Sequence, residues 1–256
     1  MPKKRKSNSH NTRQERREQR RNNKRGQEQF PAAHDNENRP PRQRVKPMQE
    51  PVVPLTEAQA DYDDAFRSHK MIFGIGPAGT GKTWFAAMRA AEALANNEID
   101  RIIVTRPIVE AEEEKFGTLP GDLMEKYEPF LRPVKDALEE YFGTGHLEYL
   151  LRQGIIEPRP LSFLRGSTLK NCWVIADEMQ NATIGQHKLL LTRFGENAKF
   201  IINGDPSQAD IPEHKSGLMP ALNKLKHIET ITAIHFERED IVREGLVQEI
   251  VEAFEA

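Results

Sequence analysis

The chain has 256 residues, of which 37% are hydrophobic and 30% charged, and its formal net charge is −2. That length has room for one or two domains. No apolar run approaches the roughly 18 residues needed to cross a bilayer, and no apolar core follows the basic N-terminus. A cytoplasmic chain with no membrane partner is expected. The single Cys172 rules out an internal disulfide and fits a reducing compartment.

Charge is unevenly spread. Residues 1–50 hold fifteen Lys/Arg and six Asp/Glu, a net of +9, which leaves −11 on the rest. Pro31, Pro40, Pro41 and Pro47 punctuate a stretch with almost no core-forming residues, so a disordered basic arm is expected over 1–50. Pro2-Lys3-Lys4-Arg5-Lys6 resembles a nuclear localisation signal, a match that any basic tail produces. Residues Thr12 to Arg25 look like the arginine-rich peptides of phage antitermination proteins, which fold on RNA hairpins. The plainer alternative is a solvated polycation that clings to any phosphate backbone.

Residues 51–256 read as one domain. A helix is predicted over 56–69, opened by Thr56 and Gln59. The Gln59 amide can pair with an adenine edge, while Thr-x-x-Gln is also a helix-capping box. Strand 71–75 then runs into Gly76-Pro77-Ala78-Gly79-Thr80-Gly81-Lys82-Thr83, ahead of an alanine-rich helix over 82–96. In this pattern glycines let backbone N–H groups turn inward around phosphate oxygens, and the helix adds its positive N-terminal end. Lys82 would reach the β- and γ-phosphates of ATP, and Thr83 would coordinate Mg²⁺.

Strand 102–104 follows, then an acidic irregular stretch from Glu110 to Gly121 and a long helix over 122–142. A short strand lies at 155–158. The apolar strand 171–176 delivers two adjacent carboxylates, Asp177 and Glu178. After a phosphate loop this arrangement assigns Asp177 to Mg²⁺ and Glu178 to the attacking water. Helix 184–194 and strand 198–202 lead to the turn Gly204-Asp205-Pro206-Ser207-Gln208, where Gln208 is placed to sense a γ-phosphate. Helix 217–226, strand 230–235 and helix 239–254 close the series. Alternating strands and helices predict an α/β fold with a mostly parallel sheet covered on both faces. Such a sheet gathers its ligands at the carboxyl ends of its strands.

The order Gln59, GPAGTGKT, VTRP from Val104, LRP from Leu131, FLRG from Phe163, ADEMQN from Ala176, GDPSQ from Gly204 and VREGLVQEIVEAFE from Val242 resembles the PhoH-like proteins. These are phosphate-starvation-inducible ATPases of bacteria and phages, with a core similar to the first RecA-like domain of superfamily-one helicases. The resemblance covers about residues 55–256. It implies a RecA-like P-loop NTPase that hydrolyses ATP with Mg²⁺ and acts on RNA or single-stranded DNA. Three departures stand out: Met179 where the family has Ala, Ser167 where it has Arg, and Glu244 where it has His. The first keeps both carboxylates, and the second removes one candidate nucleic-acid or interface contact.

Helicases of that superfamily close two RecA-like domains on one ATP, and residues 55–256 suffice for one. A homo-oligomeric ring, most simply a hexamer, would supply the missing wall and an arginine, worth about 10³ or more in rate. Arg243 is the first candidate, ahead of Arg238, Arg106 and Arg132. An ordinary surface salt bridge is the alternative for each, given Glu237, Glu239 and Glu244 nearby in sequence. Two function classes remain open: a motor that remodels or unwinds nucleic acid, and a nucleotide-gated binding or regulatory module. No second carboxylate cluster, as a nuclease would need, is visible, and nothing resembles a phosphoryl-acceptor site.

Overall fold

The computed structural model describes residues 51–108, Tyr127 and residues 131–242. The basic arm, the acidic stretch from Glu110 to Gly121, the first part of the expected long helix apart from Tyr127, and the closing segment from Arg243 lie outside the described residues. Along the described chain come α1 (Glu57–Ser68), β1 (Met71–Ile75), α2 (Lys82–Ala95) and β2 (Arg101–Thr105). Next are α3 (Arg132–Phe142), α4 (Thr144–Arg152), β3 (Ile156–Pro158), β4 (Cys172–Ala176) and α5 (Ile184–Leu191). The series ends with β5 (Ala198–Gly204), α6 (Leu218–Leu225) and β6 (Ile231–His235).

Among the described residues the strands form one sheet in the order β3-β2-β4-β5-β1-β6, and every pairing is parallel. Because successive strand side chains point to opposite faces, one sheet has to fill two cores. Ile72, Ile102, Val104, Trp173, Ile175 and Ile201 face α1 to α4. Phe73, Ile103, Val174, Phe200 and Ile202 face α5 and α6. Both faces are therefore covered, as in a RecA-like P-loop fold. This is why the inner strands read as unbroken apolar runs rather than as alternating ones.

The helices depart from the sequence reading in three places. The expected long helix does not run unbroken to 142. α3 starts at Arg132, with Pro133 in its first turn, and a proline there has no N–H with which to continue a helix from upstream. Gly143 ends α3 at φ 76° and immediately opens α4, a helix the sequence pattern had concealed. The expected helix from 239 does not begin there either. Arg238–Asp240 is a single 3₁₀ turn, and Ile241 is extended. Its reciprocal cap, Glu237 with Asp240, satisfies the turn locally instead of launching a longer helix.

Candidate nucleotide site

The loop from Gly76 to Thr83 joins β1 to α2 at the carboxyl edge of the sheet. Gly76, Gly79 and Gly81 hold φ of 140°, 86° and 85°, a region that glycine adopts without steric cost. Lys82 is buried, and its Nζ donates to the carbonyls of Gly76 (2.7 Å) and Pro77 (2.6 Å) and to Thr80 Oγ1 (3.1 Å). The ammonium thus lies in the mouth of the loop. The far side is backed by the chain leaving β6. A side chain at Gly76 would collide with the Phe236 carbonyl, and Val242 N–H donates to Gly79 O at 3.0 Å.

Opposite the loop, β4 delivers its carboxylates. Thr83 Oγ1 donates to Asp177 Oδ1 at 3.1 Å and Oδ2 at 3.0 Å. Burial, with the Glu178 charge next, pushes the Asp177 carboxyl up to about 6. The Thr83 hydroxyl, the Glu178 backbone N–H and the Arg106 charge pull the other way. A hydroxyl and a carboxylate are the hard oxygen donors that Mg²⁺ accepts, and a half-buried carboxylate held against deprotonation is one that a cation stabilises. The residues fit the ion.

Glu178 sits in the left-handed region at φ 54°, ψ 36°. The other described non-glycine residues with positive φ are Asn97, Asn171 and Asn197, a type that tolerates it. For Glu178 the conformation costs about 1–2 kcal/mol, and its neighbours hold it there. Ala78, Gly79, Gly81, Lys82, Thr83, Trp84, Pro133, Asp177, Glu178, Gly204, Asp205 and Gln208 line a cleft of about 260 Å³. Every one of these belongs to the loop, the start of α2 or α3, the end of β4, or the end of β5 and the turn after it.

The turn after β5 contributes Asp205 and an exposed Gln208. Asp205 Oδ1 accepts from the N–H and hydroxyl of Ser207 (2.9 and 2.7 Å), while its buried Oδ2 has no partner among the described residues. Just before it, Asn203 Oδ1 accepts from Tyr62 OH at 2.6 Å. Burial and the nearby Asp177 charge raise the Tyr62 phenol well above its usual range, so it is a dependable donor.

Gln59 is buried beside the loop. Its Nε2 donates to Thr80 O at 3.1 Å, and its Oε1 accepts from Leu55 N–H at 2.8 Å. The Thr56 hydroxyl accepts from Gln59 N–H as in a capping box, but the Gln59 side chain reaches back one residue too far to complete the reciprocal half. Of the four arginines, Arg106 lies close enough to influence Asp177 within the same chain. Arg132 is exposed, with its Nε 3.9 Å from Asp136. Arg238 lies in the 3₁₀ turn after β6. Arg243 lies outside the described residues; Val242 before it is tied to the loop.

The model of the PhoH-like protein family matches residues 51–255. The chain belongs to the PhoH-like family. The PhoH-like protein of Bacillus subtilis is 49% identical over 78% of this chain and 63% of its own length. That of Synechocystis is 50% identical over 78% and 61%, and protein PhoH of Escherichia coli 44% over 80% and 58%. The chain therefore spans roughly three fifths of the length of the PhoH-like relatives it matches. A crystal structure of the Pif1 helicase from Candida albicans is similar over 78% of this chain and 43% of its own, at 15% identity and a TM-score of 0.40. Among the described residues, no helix is long and apolar enough to cross a membrane.

One residue of the site has no role in the sequence reading. Gln180, within ADEMQN, is almost wholly buried, and its side-chain amide touches both the Glu178 carboxylate and the turn after β5. A polar residue directly behind two carboxylates at a strand end was the available signal.

Proposed function

We propose that this chain binds ATP with Mg²⁺, hydrolyses it, and couples that cycle to remodelling of RNA or single-stranded DNA. The observation that carries the reading is the meeting of Lys82 and Thr83 of the loop with Asp177 and Glu178 at the end of β4 in one cleft, with Thr83 bonded to Asp177. The loop amides and Lys82 bind the phosphate chain, with Lys82 exchanging loop carbonyls for β- and γ-oxygens. Thr83 and Asp177 would hold Mg²⁺, which would supply positive charge to the phosphate chain. Glu178 orients a water and takes its proton as the water oxygen bonds to the γ-phosphorus. The bond to the β–γ bridging oxygen breaks, and the negative charge leaves on ADP beside Lys82. Gln208 reports whether the γ-phosphate is present.

A homo-oligomeric ring, a hexamer in its simplest form, completes the site with Arg243 from a neighbour. Lys82→Ala and Arg243→Ala subunits should then regain activity when mixed, since mixed interfaces pair an intact loop with an intact arginine. A fully active monomer in light scattering would remove the ring.

The decisive measurement is ATP turnover by the wild-type chain and Glu178→Gln, each with and without RNA. The reading expects Glu178→Gln to bind ATP and turn it over at least about 10²-fold more slowly. Stimulation by nucleic acid is expected of the wild type. Its absence would favour a nucleotide-gated module; the net charge of −11 outside the arm counts against a large basic groove outside a ring pore.

A further inference from the structure

Glu178 must meet two conditions for water activation: its carboxylate has to point into the cleft, and it has to do so when the γ-phosphate is in place. Its backbone is in a costly conformation, so neither condition is met by default. The chain meets both through one neighbour. Gln180 Nε2 donates to Glu178 Oε2 at 2.6 Å and also faces the Gln208 carbonyl at 3.3 Å. Its Oε1 accepts from Asp205 N–H at 3.1 Å. One side-chain amide therefore grips the carboxylate after β4 and both ends of the turn after β5.

The residue is fixed for that task. Gln180 is only 1% exposed, and its backbone carbonyl accepts from Ser216 Oγ at 2.8 Å. Asn181 beside it makes a reciprocal pair with Asp210, Nδ2 to Oδ2 at 2.8 Å and Asp210 N–H to Oδ1 at 2.7 Å. Gly204 leaves the amide its room, because a Cβ there would stand 2.9 Å from Gln180 Oε1. A buried amide whose donor and acceptor ends are both engaged has a single low-energy orientation.

We propose that Gln180 is a positioning residue that locks the Glu178 carboxylate to the Gly204–Gln208 turn. Displacement of the turn by the γ-phosphate then sets the water-activating group. The inference rests on the hydrolysis reading above. It differs from a packing role in what it demands: Gln180 acts through Glu178, so its contribution vanishes when Glu178 has no function to lose.

The test is a double-mutant cycle in steady-state hydrolysis with Mg²⁺ and ATP, with ADP affinity measured by calorimetry. Gln180→Met should lower kcat by about 10²-fold, the effect of a misplaced catalytic group, while ADP affinity stays within about threefold. Gln180→Glu keeps the acceptor for Asp205 N–H but sets a carboxyl against Glu178, and should fall at least as far. It guards against a Gln180→Met chain that fails to fold. In the Glu178→Gln background, either change should cost no more than about twofold further in kcat. Losses that multiply across the cycle, or a Gln180→Glu chain with wild-type kcat, would overturn the proposal while leaving the hydrolysis reading intact. Wild-type turnover by Glu178→Gln would instead remove the hydrolytic role of Glu178, and this inference with it.

Discussion

The hydroxyl of Thr83 stands between the two carboxylate oxygens of Asp177, 3.1 and 3.0 Å away, although 94 residues separate them in the chain. The bond joins the first turn of α2 to the end of β4, so the two halves of the proposed cation site are already in register before a ligand arrives. The Thr83 hydroxyl, the Glu178 N–H and the Arg106 charge together only partly offset the desolvation of this half-buried carboxylate and the adjacent Glu178 charge. Protonation of Asp177 should therefore be visible in the stability of the nucleotide-free protein.

The folded chain holds the Asp177 proton up to about pH 6, against an ordinary value of 3.8. The native state binds more protons than the unfolded state between those values, so this group's contribution to stability falls as pH rises from about 4 to about 6. The penalty above that window is on the order of 3 kcal/mol. In urea titrations across pH without Mg²⁺, Asp177→Asn should remove this slope. Parallel wild-type and variant profiles would show that another group controls it.

Lys82→Ala should weaken ATP binding about 10- to 100-fold, because a buried charge-assisted contact to phosphate is lost. The loop carbonyls that Lys82 occupies are near the surface and can turn to water. Thermal unfolding should consequently move much less than affinity does, a contrast that calorimetry on one sample can read.

Tyr62→Phe should destabilise the chain by about 1–3 kcal/mol, because Asn203 Oδ1 is left buried with no donor. Tyr62 lies outside the cleft lining, so ADP affinity should barely change. Chemical denaturation monitors the first effect. A neutral result would mean that water takes the phenol's place.

Deletion of residues 1–50 should flatten the dependence of RNA affinity on salt while leaving basal hydrolysis nearly intact. The arm carries fifteen Lys/Arg, and each phosphate neutralised adds roughly one counterion to the slope. An identical slope after deletion would assign the arm no phosphate contacts. Strong preference for one RNA hairpin over scrambled competitors would mark it as a sequence reader instead.

What the sequence made legible was whatever local chemistry dictates. Met71–Ile75 and Cys172–Ala176 are apolar runs followed by a glycine-rich loop or a carboxylate pair, and these neighbours specify strand ends without reference to the rest of the fold. Gly143 was harder, because a helix-ending glycine can introduce either a loop or a second helix, and α4 follows it directly. The partners of Gln180 and Tyr62 were beyond sequence reasoning, since Asp205 and Asn203 reach them only through the crossover that places β5 between β4 and β1. Gln59 shows the same limit on a smaller scale. Its place in the first turn of α1 followed from the Thr-x-x-Gln pattern, but its amide direction depends on where Thr80 O and Leu55 N–H fall in space.

The backing of the loop by Phe236 and Val242 has a consequence for the order of events as the chain is made. The loop leaves the ribosome early, with β1 and α2 close behind, yet β1 pairs with β5 on one side and β6 on the other. Its flanks and its backing come from residues added far later, and such distant contacts form slowly. A nucleotide stabilises only the state that binds it, so it cannot pull a half-made chain toward the native fold. Until Val242 has been added, the nascent protein carries the motif without the site.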